Sequence, residues 1–215
     1  MDFELMHIIP EMLIDRPSVS ISDIWGTSIT FKQGDFIKIT APSGTGKTTL
    51  IHILYGLRKD FQGKLLFNQQ NLTIINSNEL AKFRRLNWSI VFQDLRLFPE
   101  LTAKENIELK RILETPIISE DRLFEMAEEL GVMSILGQKI KFCSYGEQQR
   151  IAIIRALMQP FSVLLMDEPF SHLDNANKAK AAKLIAKECM NRGAGIILTD
   201  LDHDNHFNYQ VNLNL

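Results

Sequence analysis

Short apolar runs rich in β-branched and aromatic residues alternate along this chain with longer segments in which apolar residues recur at helical spacing. The runs are Phe36–Thr40, Ser89–Phe92, Val163–Met166 and Ile196–Thr199. Such alternation predicts an α/β domain built on a parallel sheet. Ligands of these sheets bind beyond the carboxyl ends of the strands, so the residues that follow each run are the first candidates for chemistry.

Two other patterns predict smaller subdomains. Polar and apolar residues alternate over Ser18–Ser22 and Thr27–Phe31, and Gly63–Phe67 offers another short strand, which together predict a small antiparallel sheet on the N-terminal side. From about Thr102 to Leu157 the apolar spacing is helical and no convincing strand occurs. We interpret this stretch as a helical subdomain inserted into the core.

Composition is consistent with one large domain. The 215 residues are 45% hydrophobic and 23% charged, which allows a sizeable core. We expect one domain over 1–215, in which 1–94 and 158–215 form the core with its β subdomain and 95–157 form the helical subdomain. A formal net charge of -2 gives no reason to expect a nucleic-acid partner, because such proteins normally carry a strongly basic face.

The segment after the first run indicates a phosphate-binding loop. Glycines let successive backbone N–H groups converge on phosphate oxygens, and the positive end of the following helix favours the same anion. Lys47 would reach the outer phosphates of a nucleoside triphosphate, and the Thr48 hydroxyl would ligate Mg²⁺. The predicted nucleotide-binding residues are Ala41, Pro42, Ser43, Gly44, Thr45, Gly46, Lys47, Thr48 and Thr49. Ala41 stands where the strict P-loop pattern has a glycine, but the strand and helix on either side support the assignment.

Two carboxylates end the third run. Asp167 and Glu168 follow a buried strand, which is the arrangement that holds Mg²⁺ and orients water beside a γ-phosphate. Asp167 would serve the metal and Glu168 the water. Acidic residues also end strands as helix caps or turn formers, and for the pair alone that alternative stays open. The phosphate-binding loop makes the catalytic interpretation the better one.

Between these motifs, the sequence CSYGEQQRIA at Cys143–Ala152 resembles the signature of the ABC-transporter ATPase family, usually written LSGGQ and followed by QQR. Cys143 and Tyr145 replace the usual leucine and first glycine. Gln93 is similar to the Q-loop glutamine of the family, and Ser171–Asp174 is similar to its D-loop. The resemblance runs from about Ile24 to Thr199 and implies a P-loop NTPase core with ATP and Mg²⁺ as cofactors.

The resemblance also implies a mechanism. Two copies, expected to be identical, pack head to tail, so that nucleotide on one P-loop is closed over by Ser144 and Gly146 of the other copy, with Glu147 beside them. Gln93 would join the metal and water shell, and Asp174 would communicate across the dimer. The implied metal ligands are Thr48, Gln93 and Asp167. A strand-end glutamine that caps a turn is the alternative for Gln93.

The stretch Leu95–Ile107 is similar to exporters of the lipoprotein-release, macrolide-efflux and cell-division group, in which it faces the membrane subunit. The resemblance implies an integral membrane permease as partner, bound through the helical subdomain. It also implies a cytoplasmic location, peripheral on the cytoplasmic face of the inner membrane. No apolar stretch approaches the roughly 18 to 20 residues that span a bilayer, so we expect any membrane role to come through a partner. Within the stretch, Thr102 and Glu105 form the pattern of a helix capping box.

The last run is followed by Asp200, where the family places a histidine that touches the γ-phosphate. A carboxylate there opposes negative charge, so Asp200 must be turned away, protonated or bridged by an ion, and we expect turnover to be slow. His203 could take the contact in a shifted loop, although an exposed turn histidine is the simpler interpretation. The candidate catalytic residues are Glu168, Gln93, Asp200 and His203.

Three functions are compatible with these motifs. The first is a Mg²⁺-dependent ATPase subunit that energises a separate ABC-type permease through nucleotide-driven dimer closure. The second is a low-turnover, nucleotide-gated dimer switch, suggested by Asp200 and by the absence from Leu13–Val19 of the aromatic residue that stacks on adenine in the family. The third is a soluble ABC ATPase without a permease, which the exporter-like Leu95–Ile107 stretch disfavours.

Overall fold

The computed structural model describes residues 2–112, 117–201 and 206–215. Its strands are β1 (Phe3–Pro10), β2 (Ser28–Phe31), β3 (Phe36–Thr40), β4 (Phe61–Phe67), β5 (Gln70–Asn71), β6 (Trp88–Val91), β7 (Val163–Asp167), β8 (Gly195–Asp200) and β9 (Val211–Asn214). Its α-helices are α1 (Lys47–Leu54), α2 (Ser77–Leu86), α3 (Ala103–Arg111), α4 (Glu120–Glu129), α5 (Tyr145–Leu157) and α6 (Asn175–Arg192). None of the helices in the described ranges combines the length and apolar character needed to cross a bilayer.

A five-stranded parallel sheet with the order β6-β7-β8-β3-β9 forms the centre of the domain. Four of its strands are the predicted apolar runs, and the predicted fold class is confirmed. In the register of the sheet, Thr40 lies opposite Asp200 and Asp167 lies opposite Thr199. Because parallel strands share their carboxyl edge, the phosphate-binding loop, the acidic pair and Asp200 all meet at one edge of the sheet.

The antiparallel sheet has the order β2-β1-β4-β5, and its inner strand β1 was not predicted. The register between β1 and β4 shifts between Met6 and Ile9, and His7 there has a φ of +51°. Gly63 accommodates this bulge, since a Cβ on it would lie 2.4 Å from the carbonyl oxygens of Met6 and His7. The bulge interrupts the alternation of buried residues, which hides β1 from a search for period two.

The prediction of a strand at Ser18–Ser22 was wrong, because Pro17–Ile21 is a 3₁₀-helix. Pro17 occupies its first turn, where its fixed φ suits a helix start. Ser20 Oγ donates to the Pro17 carbonyl at 2.7 Å, and Ser22 Oγ accepts the backbone N–H groups of Ile24 and Trp25. Local side-chain to backbone hydrogen bonds therefore outweigh the polar–apolar alternation.

The two faces of the parallel sheet bury different hydrophobic clusters. Phe36, Leu164 and Leu198 pack on the face covered by the helices of the helical subdomain and by α6. Ile37 and Leu165 pack on the other face, which is covered by α1 and by the antiparallel sheet. Successive side chains of a strand point to opposite faces, so neighbouring residues of each strand enter different hydrophobic clusters.

The segment from Thr102 to Leu157 contains helices and 3₁₀ turns and, where the structure describes it, no named strand. Its first helix begins with the predicted capping box, because Thr102 Oγ1 accepts the Glu105 N–H while the Glu105 carboxylate accepts the Thr102 N–H. Arg122 of α4 ties this segment to the core through a 2.8 Å ion pair with Glu188 of α6. The proposed division at residues 95–157 remains a prediction.

Candidate functional site

The phosphate-binding loop is built around glycines in the left-handed region. Gly44 has a φ of +81° and Gly46, the residue before α1, has a φ of +105°. A Cβ on Gly46 would lie 3.0 Å from Leu13 Cδ1 and 3.2 Å from Trp25 Cζ2. Trp25 is buried, and its Nε1 donates to the Thr45 carbonyl at 3.3 Å. The indole therefore supports the loop from below.

Lys47 lies inside the curve of this loop. Its Nζ donates to the carbonyls of Ala41 at 2.8 Å and Pro42 at 3.1 Å, and it lies 3.4 Å from Glu168 Oε1. The side chain is only 5% exposed, so its cation faces the loop and the acidic pair rather than solvent. An ammonium in this position can bind the outer phosphates of a nucleotide seated on the loop.

Gln93 connects the loop to the acidic pair. Thr48 Oγ1 donates to Gln93 Oε1 at 3.3 Å, and Gln93 Nε2 donates to Glu168 Oε2 at 3.2 Å. These three predicted residues also line a cleft of about 200 Å³ over the loop, together with Lys47. The cleft brings together residues of α1 and of the segments that directly follow β6 and β7, which are distant in sequence.

Asp167 has the character of a metal ligand. One carboxylate oxygen, Oδ1, accepts the Thr199 hydroxyl at 2.7 Å, while Oδ2 is buried and has no hydrogen-bond partner among the described residues. An unpaired buried carboxylate oxygen is costly unless a cation or a proton satisfies it. Together with the Thr48 hydroxyl and the Gln93 amide oxygen, the other two predicted ligands, Asp167 would give an all-oxygen donor set, which suits Mg²⁺.

Glu168 adopts a backbone conformation that non-glycine residues rarely use. Its φ is +47°, and its backbone N–H is held by the Thr199 carbonyl at 2.9 Å. Backbone strain of this kind persists where the surrounding structure fixes it, and it is concentrated at functional sites. The turn directs the Glu168 side chain back toward Lys47 and Gln93.

Asp200 also ends at this edge, but its carboxylate is turned to protein partners. Oδ1 accepts the backbone N–H of Leu201 at 2.7 Å, and Oδ2 lies 3.6 Å from the ammonium of Lys38. Both oxygens of this carboxylate are therefore engaged by groups of the protein itself. His203, the alternative contact, lies outside the described residues.

The predicted signature residues lie at the start of α5, outside the cleft over the phosphate-binding loop. Ser144 is the N-cap of this helix and forms a capping box with Glu147, whose carboxylate accepts the Ser144 N–H and hydroxyl. Gly146 leaves little room for a side chain, since a Cβ would lie 3.1 Å from the His172 carbonyl oxygen. The signature and the Ser171–Asp174 turn are thus packed against each other within one chain.

Two further side chains, Gln149 and Tyr145, hold this junction. Gln149, which is 1% exposed, accepts the His172 N–H at 3.1 Å and donates to the Glu168 carbonyl at 3.4 Å. The ring of Tyr145 lies 4.2 Å from that of His172, centroid to centroid. No spacing pattern in the sequence identifies these contacts, because each joins residues from separate motifs.

Arg155, near the end of α5, is a third residue that sequence reasoning missed. Its guanidinium donates to the Arg96 carbonyl at 2.7 Å and also to the Leu95 carbonyl. Leu95 and Arg96 both have positive φ, at +57° and +45°. Burial lowers the pKa of Arg155 to about 10, which leaves the group charged near neutral pH. The signature helix therefore holds the strained turn that follows Gln93.

A family model described as "ABC transporter" matches residues 25–171 of the chain. The chain belongs to the ABC-transporter ATPase family. YxdL of Bacillus subtilis, an ABC transporter ATP-binding protein, is 34% identical over 191 residues, which cover 88% of this chain and 74% of YxdL. The lipoprotein-releasing system ATP-binding protein LolD of Buchnera aphidicola is 34% identical over 182 residues, covering 84% of this chain and 79% of LolD. The export ATP-binding/permease protein PvdT of Pseudomonas fluorescens is 35% identical over 88% of the present chain, but the match spans only 29% of PvdT.

Solved structures of this family agree with the fold. The dimeric cassette MJ0796 of a bacterial ABC transporter superposes with a TM-score of 0.80 at 27% identity, covering 93% of this chain and 88% of that chain. Its post-hydrolysis state with ADP and Pi superposes with a TM-score of 0.79. The present chain is an ATP-binding cassette that hydrolyses ATP and energises an ABC transporter. The roles of its individual site residues remain predictions.

Proposed function

We propose that this cassette is the ATPase subunit of a two-part exporter, in which it pairs head to tail with a second copy and drives a separate integral membrane permease. Two observations on relatives support the pairing and the partner. The MJ0796 cassettes are dimeric, and LolD is the ATP-binding protein of a lipoprotein-releasing system. The proposal places the chain on the cytoplasmic face of the inner membrane, held there by its permease.

The observation that carries the proposal is a short path from Gln93 to an exposed aromatic surface. After the turn held by Arg155, Phe98 is 55% exposed. Its backbone is fixed by Asn106, which is fully buried, accepts the Phe98 N–H at 2.8 Å and donates to the Phe98 carbonyl at 3.1 Å. Such a support keeps the backbone of an exposed aromatic in place, which is typical of a recognition surface.

Phe142, 68% exposed, belongs to the same surface. The Lys141 backbone N–H donates to the Pro99 carbonyl at 3.2 Å, so the segments that carry the two phenylalanines run side by side. We call Phe98 and Phe142 the Phe98–Phe142 surface. Because this surface follows directly from the Q-loop, binding of a permease there would be sensed at Gln93, and the position of Gln93 would be sensed by the permease.

Mg²⁺ is part of the proposal. Thr48, Gln93 and Asp167 would hold the ion, and when bound it would neutralise charge between the outer phosphates. Lys47 would bind the same phosphates from the loop, while Glu168 would hold and orient the attacking water. Ser144 and Gly146 of the second copy would complete the site, which requires the Ser144 hydroxyl to turn from Glu147 toward the γ-phosphate.

Purification of the tagged native chain from detergent-solubilised membranes tests the partnership. We expect an integral membrane permease, identified by mass spectrometry, to co-purify with the wild type. Replacement of both Phe98 and Phe142 by glutamate should abolish the co-purification of the permease, while the isolated cassette should keep its ATPase rate. Ile74→Glu is the matched control, because Ile74 is 82% exposed but belongs to the segment before α2. Retention of the permease by the double variant would contradict the proposed surface.

A slow nucleotide-gated switch is the second candidate, and one observation favours it. The Asp200 carboxylate is engaged by Leu201 and Lys38, so this side chain offers no donor to a γ-phosphate. The two functions differ in rate: an exporter subunit should hydrolyse ATP steadily when its permease is present. A switch should bind ATP and dimerise without steady release of phosphate, and a coupled phosphate assay on the purified complex distinguishes them.

A further inference from the structure

Lys38 is a cation inside an apolar strand. β3 reads Phe-Ile-Lys-Ile-Thr, every residue of it is buried, and Lys38 is 1% exposed. A lysine is rarely buried to this extent unless it faces a compensating group, because removal of the charge from water is costly. Among the described residues, the groups that face it include the Asp200 carboxylate at 3.6 Å and the Tyr209 ring, whose centroid lies 5.6 Å from Nζ.

The sheet places Lys38 and Asp200 on the same face. Phe36 of β3 and Leu198 of β8 belong to one hydrophobic cluster, and Lys38 and Asp200 each follow two positions later. β3 and β8 are hydrogen-bonded neighbours with Thr40 opposite Asp200. The Lys38 side chain therefore extends along the sheet toward its carboxyl edge and ends beside the Asp200 carboxylate.

This edge is where the phosphate-binding loop begins. The backbone N–H of Ala41, the first residue of the loop, donates to the Asp200 carbonyl at 3.1 Å. Asp200 and Glu168 also line one cleft. A carboxylate free to rotate at this point would add negative charge beside the terminal phosphate of ATP, whereas ADP has no phosphate there.

We propose that Lys38 is a positioning residue that holds the Asp200 carboxylate turned away from the cradle and offsets its charge, so that the site accepts a triphosphate. Both carboxylate oxygens are engaged, Oδ2 by Lys38 and Oδ1 by the Leu201 N–H. The pair thereby lets the cassette carry an acidic residue at the end of β8. The inference depends on ATP binding at the cradle and is independent of the permease.

The discrimination between ATP and ADP tests this role, since only ATP has the terminal phosphate. Lys38→Met keeps the length of the side chain and removes its charge. We expect it to raise the Kd for ATP about tenfold and to change the Kd for ADP less than about twofold, as measured by titration with each nucleotide and Mg²⁺. Lys38→Met/Asp200→Asn should restore the ATP affinity, because the carboxylate that Lys38 controls is then absent. Lys38→Arg should behave as the wild type.

Lys32→Met is the matched control, because this lysine is exposed in the turn before β3 and should affect neither nucleotide. Equal loss of ATP and ADP affinity in Lys38→Met would show a purely structural role and overturn the proposal. So would failure of Asp200→Asn to restore ATP binding in the Lys38→Met background. If Lys38→Met does not fold, Asp200→Asn alone decides: with the cation retained and the carboxylate removed, the preference for ATP over ADP should rise, and a fall would refute the proposal.

Discussion

Thr199 Oγ1 donates a 2.7 Å hydrogen bond to Asp167 Oδ1 and leaves the other carboxylate oxygen buried, with no hydrogen-bond partner in the described part of the chain. The two residues lie opposite each other on β7 and β8, so the sheet register itself sets the orientation of the carboxylate. Thr199 thus fixes the Asp167 carboxylate at the carboxyl edge of the sheet. A buried carboxylate oxygen without a hydrogen-bond partner is suited to binding a cation.

We predict that Asp167→Asn abolishes the Mg²⁺ dependence of ATP affinity and of turnover, because the amide supplies no charge to the ion. Thr199→Val should weaken the binding of Mg²⁺ about 10- to 100-fold, as expected when the partner that orients a metal ligand is lost. Titration of Mg²⁺ at fixed ATP measures both effects. An unchanged Mg²⁺ requirement in Asp167→Asn would remove this residue from the metal site.

Lys47→Ala should abolish triphosphate binding. The lysine is the cation at the centre of a cradle otherwise made of amide dipoles, and its charge-assisted bonds to phosphate have no replacement in the loop. Nucleotide titration at constant salt tests this, with Lys64→Ala on the exposed part of β4 as control. Affinity equal to that of the wild type would refute the phosphate-binding role.

Glu168→Gln should bind ATP and Mg²⁺ but lose turnover by a factor on the order of 10² to 10⁴, because the amide preserves shape but cannot act as a base. The trapped ATP complex should be a dimer in gel filtration. The Gln93 contact at 3.2 Å and the Lys47 contact at 3.4 Å show that the side chain is held in place before any substitution. Undiminished phosphate release, or a monomer with ATP, would count against the catalytic and the head-to-tail assignments respectively.

Asp200→His should raise turnover, because a neutral imidazole can donate to a γ-phosphate whereas the carboxylate cannot. The ammonium of Lys38 lies 3.6 Å from the present carboxylate and would face the introduced ring, where it would keep the imidazole neutral, so Lys38→Met/Asp200→His should gain no more than Asp200→His. Steady-state rates of both variants measure this. If Asp200→His leaves the rate unchanged while His203→Ala abolishes it, His203 is the true contact. If no variant changes the rate, the nucleotide-gated switch is the better account.

His52 should make the stability of the fold depend on pH. Burial, with added repulsion from Arg96, lowers the pKa of His52 below 6.5. Between that lowered pKa and 6.5 the unfolded chain binds more protons than the folded chain, so the free energy of unfolding falls as the pH drops below about 6.5. Urea unfolding at two pH values, one above and one below 6.5, measures this effect. The free energy of unfolding should fall less at the lower pH for His52→Gln than for the wild type. Identical pH dependence in the two proteins would contradict this.

The elements that a sequence can predict here are those with a local signal. β3, the loop after it and the acidic end of β7 follow from a short apolar run and the residues directly behind it. β1 could not be found in this way, because a bulge at His7 switches the faces on which its apolar residues lie. Pro17 and the serine side chains near it turned a predicted strand into a 3₁₀-helix through local hydrogen bonds.

The contacts within the site are less predictable, since each depends on the register between strands far apart in sequence. The sequence shows that Asp200 departs from the family pattern, but it places Lys38, the partner of Asp200, within an apolar run. Only the alignment of β3 with β8 shows that the two side chains meet. Arg155 likewise lies within the helical pattern that follows the signature. Its hydrogen bond to the turn after Gln93 depends on how α5 packs against that turn, and no spacing rule predicts such packing.

Helix α5 begins after Ser144 and has Arg155 near its other end, about 15 Å along its axis at 1.5 Å per residue. In a head-to-tail pair its first turn would face the nucleotide of the partner copy, while Arg155 holds the turn behind the Gln93 of its own chain. A single rigid helix would then connect the two nucleotide sites of the pair. Occupation of one site would be communicated to the other through the interior of each chain, and ATP binding to the pair would be positively cooperative although the two phosphate loops never meet.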